Sequence, residues 1–257
     1  MELKTIVSKR AYLFSLIYDL FHVPSLQEND HLYIYNMGDF SKALYIGYML
    51  ERYGLWMQAV QEIIGVDGSG EVEKYIRILD SIDVFRWELI EEELRILANK
   101  TVKIYNEYKD KIIREVSRIL GIGKYYERIY LLMGFNPMKG TYGSLLYVRD
   151  PEYAVVSVMT SPDIDAAKVV DLLLHEVLHG LIRTNNVPIP DEIEEEFIDT
   201  LCPDGYLSNL LGLSRDLVVG KGQLQHIIRD YFDQKLYDRG IKLPDYIRQT
   251  VNGQYHI

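Results

Sequence analysis

Apolar residues recur at helical spacing along most of the first 120 positions, and the pattern then changes. "DFSKALYIGYMLERYGLWMQAVQEIIG" opens at Asp39, a side chain suited to capping a helix, and stops at Gly65, so it predicts a helix. "GVDGSGE" follows as a break. From Asp83 to Leu120 an apolar stripe runs through Leu89, Leu94, Leu97, Ile104, Tyr108, Ile112, Val116 and Leu120, which predicts one long amphipathic helix ended by Gly121 and Gly123. The aromatic run "HLYIYNM" reads as a short strand.

After Lys124 the texture becomes that of strands. "ERIYLLMGF", "TYGSLLYV" and "EYAVVSVMT" are short, rich in β-formers and separated by turn signals, and they predict a strand meander. The third run is apolar on both faces, as an interior strand would be, which leaves "TYGSLLYV" as the better edge. "SPDIDAAKVVDLLLHEVLHGLIR" then predicts a helix with Ser161 as cap, Pro162 at its first position, and Asp163 and Asp165 in its first turn. "NNVPIP" ends it, and three or four more helices complete the chain.

Within that helix "HEVLH" carries the strongest chemical signal. Residues four apart lie on one helical face, so His175 and His179 can turn both imidazoles toward one metal ion. Glu176 sits about 100° round the axis from His175, near enough to hold a water without being a ligand. Two nitrogen ligands and an adjacent base are what metal-assisted hydrolysis requires. The competing reading is a surface helix with incidental histidines. It fails on the flanks, because Leu172, Leu173, Leu174, Val177, Leu178 and Leu181 bury the helix and would leave two imidazoles and a carboxylate unpartnered.

A catalytic zinc site needs a third protein ligand. The continuation "HEVLHGLIRTN" has Ile182 and Asn185 where a metzincin has glycine and histidine, so that route is closed. "DEIEEEFIDTL" offers acids instead. Glu195 and Asp199 share a helical face, so one can bind metal while the other orients a histidine. Glu196 is the rival ligand, and the bland alternative is that the acids are a solvated charge run.

HEVLH followed by "EEFID" resembles the gluzincin metallopeptidases. The resemblance implies His175 and His179 as zinc ligands, Glu176 as catalytic base, Glu195 as third ligand and Asp199 as supporting acid. It covers about Arg128 to Asp199 and implies an α+β, zincin-like fold: a small mixed sheet with a long backing helix and an active-site helix, between mostly helical N- and C-terminal parts. It also implies an edge strand that pairs with an extended peptide. For the oxyanion such enzymes use a Tyr, His or Arg; candidates are Tyr206, His226, Arg229 and Tyr231. The domain reading is a helical region over 1–80 and a metallopeptidase domain over 81–257, or the two as one continuous domain.

Composition bounds the function. The chain has 257 residues and a net charge of −10, so a phosphate backbone or an anionic membrane would repel it, and the expected partner is a peptide or protein substrate. Cys202, the single cysteine, excludes an internal disulfide and suits a reducing compartment. Asp19 interrupts the apolar N-terminal stretch and no cleavage site follows, so no signal peptide is expected and the predicted location is the cytoplasm. Two other readings stay open: a zinc hydrolase of a non-peptide amide, and a binding protein whose zinc is closed off by a fourth ligand.

Overall fold

The computed structural model describes residues 1–22, 37–66, 70–136, 141–161, 163–218 and 222–254. The chain is of the α+β class, with long helices on both faces of a four-stranded mixed sheet. The strands are β1 (Glu2–Ile6), β2 (Arg128–Phe135), β3 (Tyr142–Arg149) and β4 (Tyr153–Thr160), in the order β1-β2-β4-β3. β1 and β4 both run parallel to β2, whereas β3 is antiparallel to β4 and occupies one edge.

The three runs after Lys124 are therefore strands, but they do not form a simple meander. β4 is buried along all eight residues and inserts between β2 and β3, while β3 is only half-buried. The better-covered strand takes the interior, as its two-sided apolar sequence requires. β1 was not anticipated. Its residues "ELKTI" carry too weak an alternation to be recognised without β2, their partner more than a hundred residues on.

Strand side chains alternate between two cores. On one face Ile129, Leu131, Met133, Ala154, Val156 and Val158 pack against α5 (Trp87–Leu120) and α6 (Ala166–Thr184). The same core takes in α7 (Asp191–Leu201), α8 (Tyr206–Leu211), α9 (Gln223–Asp233) and α10 (Leu243–Gln254). On the other face Tyr130, Leu132, Tyr153, Val155 and Met159 pack against α1 (Lys9–His22), α2 (Met37–Tyr53), α3 (Trp56–Ile64) and α4 (Gly70–Asp80). The first 80 residues thus supply a strand to the sheet and a helical layer behind it.

Several boundaries differ from the sequence reading. The helix expected from Asp39 to Gly65 is two helices, parted at Gly54 with φ +62. The long helix starts at Trp87, because Arg86 before it adopts a left-handed conformation. The helix carrying HEVLH is capped by Asp165, whose carboxylate accepts the Lys168 N–H at 2.9 Å. Ser161 is tied instead to Thr141, whose hydroxyl accepts its N–H at 3.0 Å. Pro162 and positions 31–36 of "HLYIYNM" lie outside the described residues, and Met37 begins α2. No described helix is long and apolar enough to cross a membrane.

Candidate metal centre

α6 is buried over most of its length, which sets its two histidines inside the protein with their rings 5.1 Å apart. The helical spacing brings His175 Nε2 and His179 Nε2 to 3.4 Å. α7 lays Glu195 across them: one carboxylate oxygen lies 3.6 Å from His175 Nε2 and the other 3.2 Å from His179 Nε2. Among the described residues these three form the one group able to share a metal ion, with all their ligand atoms within 4.8 Å of one another.

Both imidazoles are oriented from behind. His175 Nδ1 donates to the Cys202 carbonyl at 2.8 Å, an acceptor left over where α7 ends. His179 Nδ1 donates to Glu194 at 2.6 Å, and Arg183 holds the same carboxylate oxygen at 2.9 Å. With the Nδ1 hydrogens so placed, it is Nε2 of each neutral imidazole that turns its lone pair toward the cluster. Two protonated Nε2 atoms facing each other at 3.4 Å would repel, and a shared cation removes that conflict.

The donor set fits zinc. Two imidazoles and a carboxylate are common zinc ligands, and in a tetrahedral site with bonds of about 2.1 Å neighbouring ligand atoms sit about 3.4 Å apart. Here the two nitrogens are 3.4 Å apart, and Glu195 meets His179 with one oxygen at 3.2 Å and His175 with the other at 3.6 Å, so the three residues lie close enough to share an ion. The histidine side chains are 9% and 12% exposed against 69% for Glu195, so the cluster is walled on the helix side and open beyond the carboxylate.

The charges follow from this packing. Burial works to lower the His175 pKa, but Glu195 and the Cys202 carbonyl outweigh it and raise the value to about 9 in the metal-free chain. His179 is raised for the same reason, by Glu195 and Glu194 against burial. The two histidines hold Glu195 well below the usual carboxylate range. Burial pushes Glu176 up, and the histidines only partly reverse this.

Glu176 stands beside the cluster, outside the three-residue group, with one carboxylate oxygen 4.0 Å from His175 Nε2. The backbone of Leu145 on β3 also works against burial, lowering the Glu176 pKa. Gly143 lets the strand come this close, since a Cβ there would lie 2.7 Å from Glu176 Cγ. On the opposite side of β3, the hydroxyls of Tyr142 and Ser144 donate to the buried carboxylate of Asp19 in α1, each at 3.1 Å.

The remaining candidates separate clearly. Asp199 reaches within 3.7 Å of His175 Nδ1, whose hydrogen already serves Cys202, so the acid that orients a histidine at hydrogen-bond distance is Glu194. Glu196 faces Gly222, where an added Cβ would meet its carboxylate at 2.5 Å, and it stands outside the cluster. Tyr206 is buried and stacked on Phe232 at 4.9 Å, Tyr231 donates to the Ile241 carbonyl at 2.8 Å, and His226 is exposed on α9. None of the three hydrogen-bonds to the cluster. Sequence reasoning missed Glu194, Arg183 and the Cys202 carbonyl. A signal for Arg183 existed: it follows His179 by four residues, so a cation and a histidine share one face of α6.

Compared with known proteins, the chain matches no family model, no curated protein and no solved structure.

Proposed function

We propose that this chain is a zinc-dependent hydrolase of peptide bonds with a zincin-like arrangement of active-site helix, backing helix and edge strand. The observation that carries the reading is the convergence of His175, His179 and Glu195, with their ligand atoms within 4.8 Å of one another and both Nδ1 atoms already engaged. When bound, zinc supplies a Lewis acid that polarises a carbonyl and makes water a better proton donor at neutral pH.

The chain's own groups supply the rest. Glu176, buried and adjacent to the ligands without being one, accepts a proton from water at its carboxylate and returns it to the departing nitrogen. Cys202 and Glu194 keep the imidazoles turned inward. β3, an edge strand with Leu145 at the level of Glu176, offers backbone groups to an extended chain. That edge favours a peptide over a compact amide. The open side at Glu195 and the three-member donor set favour a catalytic over a closed structural zinc. A peptide substrate and a cytoplasmic location belong to the same proposal.

The test compares peptide cleavage by the zinc-loaded chain and by Glu176→Gln, with metal content measured on both. One zinc in each, with cleavage lost only in the variant, is the expected result. Equal cleavage by the two, or loss of zinc from the variant, would contradict the assignment of Glu176.

A further inference from the structure

The corner that follows α7 is fastened to α6 at successive turns. Lys168, Asp171 and His175 are spaced three and four residues apart and share one face of that helix. Lys168 pairs with the carboxylate of Asp204. One Asp171 oxygen accepts the backbone N–H of Asp204 at 2.8 Å, and the other accepts the Ser208 hydroxyl. One turn on, His175 Nδ1 donates to the Cys202 carbonyl.

Two features of this corner are unfavourable taken alone. Asp171 is fully buried, and burial pushes its pKa up against the pull of Ser208, the Asp204 N–H and Lys168. A carboxyl group taken out of water is tolerated when its oxygens find donors, and both do. Asp204 stands at φ +58, in the left-handed region that side chains generally avoid. Such a conformation persists where the surroundings over-determine it. Asp204 is gripped at three points: its side chain by Lys168, its N–H by Asp171, and its carbonyl by the Val218 N–H at 2.9 Å.

We propose that Asp171 is a positioning residue for His175: by fixing Asp204 and Ser208 it aims the Cys202 carbonyl that orients the His175 ring. The inference rests on the proposed metal site and concerns how one of its ligands is held. Asp171 stands outside the three-residue group and acts through this carbonyl. Packing of the buried Leu201, Cys202 and Leu207 fixes where the corner sits, but apolar contact is non-directional. The direction of the Cys202 carbonyl is set by the bonds on either side of it, from Cys202 N–H to the Ile198 carbonyl at 2.8 Å and from Asp204 N–H to Asp171. The two histidines are then held by separate clamps, His179 by Glu194 in the first turn of α7 and His175 through Asp171 beyond its end. Glu195 lies on α7 between them.

The experiment uses the full chain with isotopically nitrogen-labelled histidine, both metal-free and zinc-loaded. Solvent exchange of each imidazole Nδ1–H is read by NMR, zinc affinity by competition with a fluorescent chelator, and Tm as a check on folding. In Asp171→Ala the His175 Nδ1–H is expected to exchange about tenfold faster while that of His179 is unchanged. Zinc affinity is expected to fall by about three to tenfold, at or below the loss from removing a direct partner of a ligand. Asp171→Asn keeps one acceptor oxygen and Ser208→Ala removes one of the two bonds; both are expected to fall between, and they carry the test if the Ala variant does not fold. Exchange at His175 that stays as in the unaltered chain would overturn the inference. An equal rise at both histidines would also overturn it, because that is the mark of general loosening. Exchange is read on the metal-free chain as well, so a chain that binds no zinc would remove the proposed function and still show whether Asp171 holds His175.

Discussion

Glu194→Ala separates the geometry found here from the arrangement expected from the acidic run. The substitution removes the acceptor 2.6 Å from His179 Nδ1 and releases Arg183, whose side chain is 68% exposed and returns to water without leaving a buried charge. The main loss is then the orientation of His179. Outer partners of metal-bound histidines typically contribute about 10 to 100-fold in affinity, equivalent to roughly 1.4 to 2.8 kcal/mol. A hydrogen bond to a charged group contributes about 1.5 to 3 kcal/mol, so two routes give the same range. Zinc affinity measured by competition with a fluorescent chelator should fall by that factor in Glu194→Ala and by less in Glu194→Gln, which keeps an acceptor but not the charge. An Ala variant that holds zinc within about twofold of the unaltered chain would refute the reasoning.

Glu195→Ala should release zinc, whereas Asp199→Asn and Glu196→Ala should each change zinc affinity by less than Glu194→Ala, because Asp199 stands 3.7 Å from an already bonded nitrogen and Glu196 faces Gly222. The reverse order by the same competition assay would shift the ligand register by one residue. In the metal-free chain His175 is raised from 6.5 to about 9, so its ion pair with Glu195 stabilises fully below pH 6.5 and is lost as pH rises through about 9. Protons and zinc compete for the same nitrogen, so the zinc-induced rise in Tm should widen over that interval; a gap independent of pH would count against the site. Gly143→Val should keep zinc but lower kcat, since its side chain enters the space of Glu176; unchanged kcat would mean that the strand and the base are not in contact during turnover.

The pairing of His175 and His179 was legible because helical spacing is a local property: two histidines four apart share a face in any α-helix. That an acid of the next helix would come beside them was legible from the acidic run that follows, and Glu195 is the one the structure brings there. Glu194 was not legible, since it looks identical to its neighbours in "EIEEEF" and differs only in being 4% exposed, a consequence of how α7 docks on α6. The edge position of β3 could be read from its lower apolar content beside β4. The parallel pairing of β4 with β2 and the use of β1 could not, because registry between distant segments is set by the sheet as a whole. Asp165 displaced Ser161 as the helix cap for a similar reason: Ser161 is held by Thr141, a residue 20 positions earlier.

The most direct test of the central claim is an anomalous-difference map at the zinc absorption edge from crystals of the zinc-loaded chain. A single peak per chain about 2.0 to 2.2 Å from His175 Nε2, His179 Nε2 and a Glu195 oxygen, with the fourth position open to water, is the result the account predicts. A peak elsewhere, or one closed by a fourth protein ligand, would contradict it.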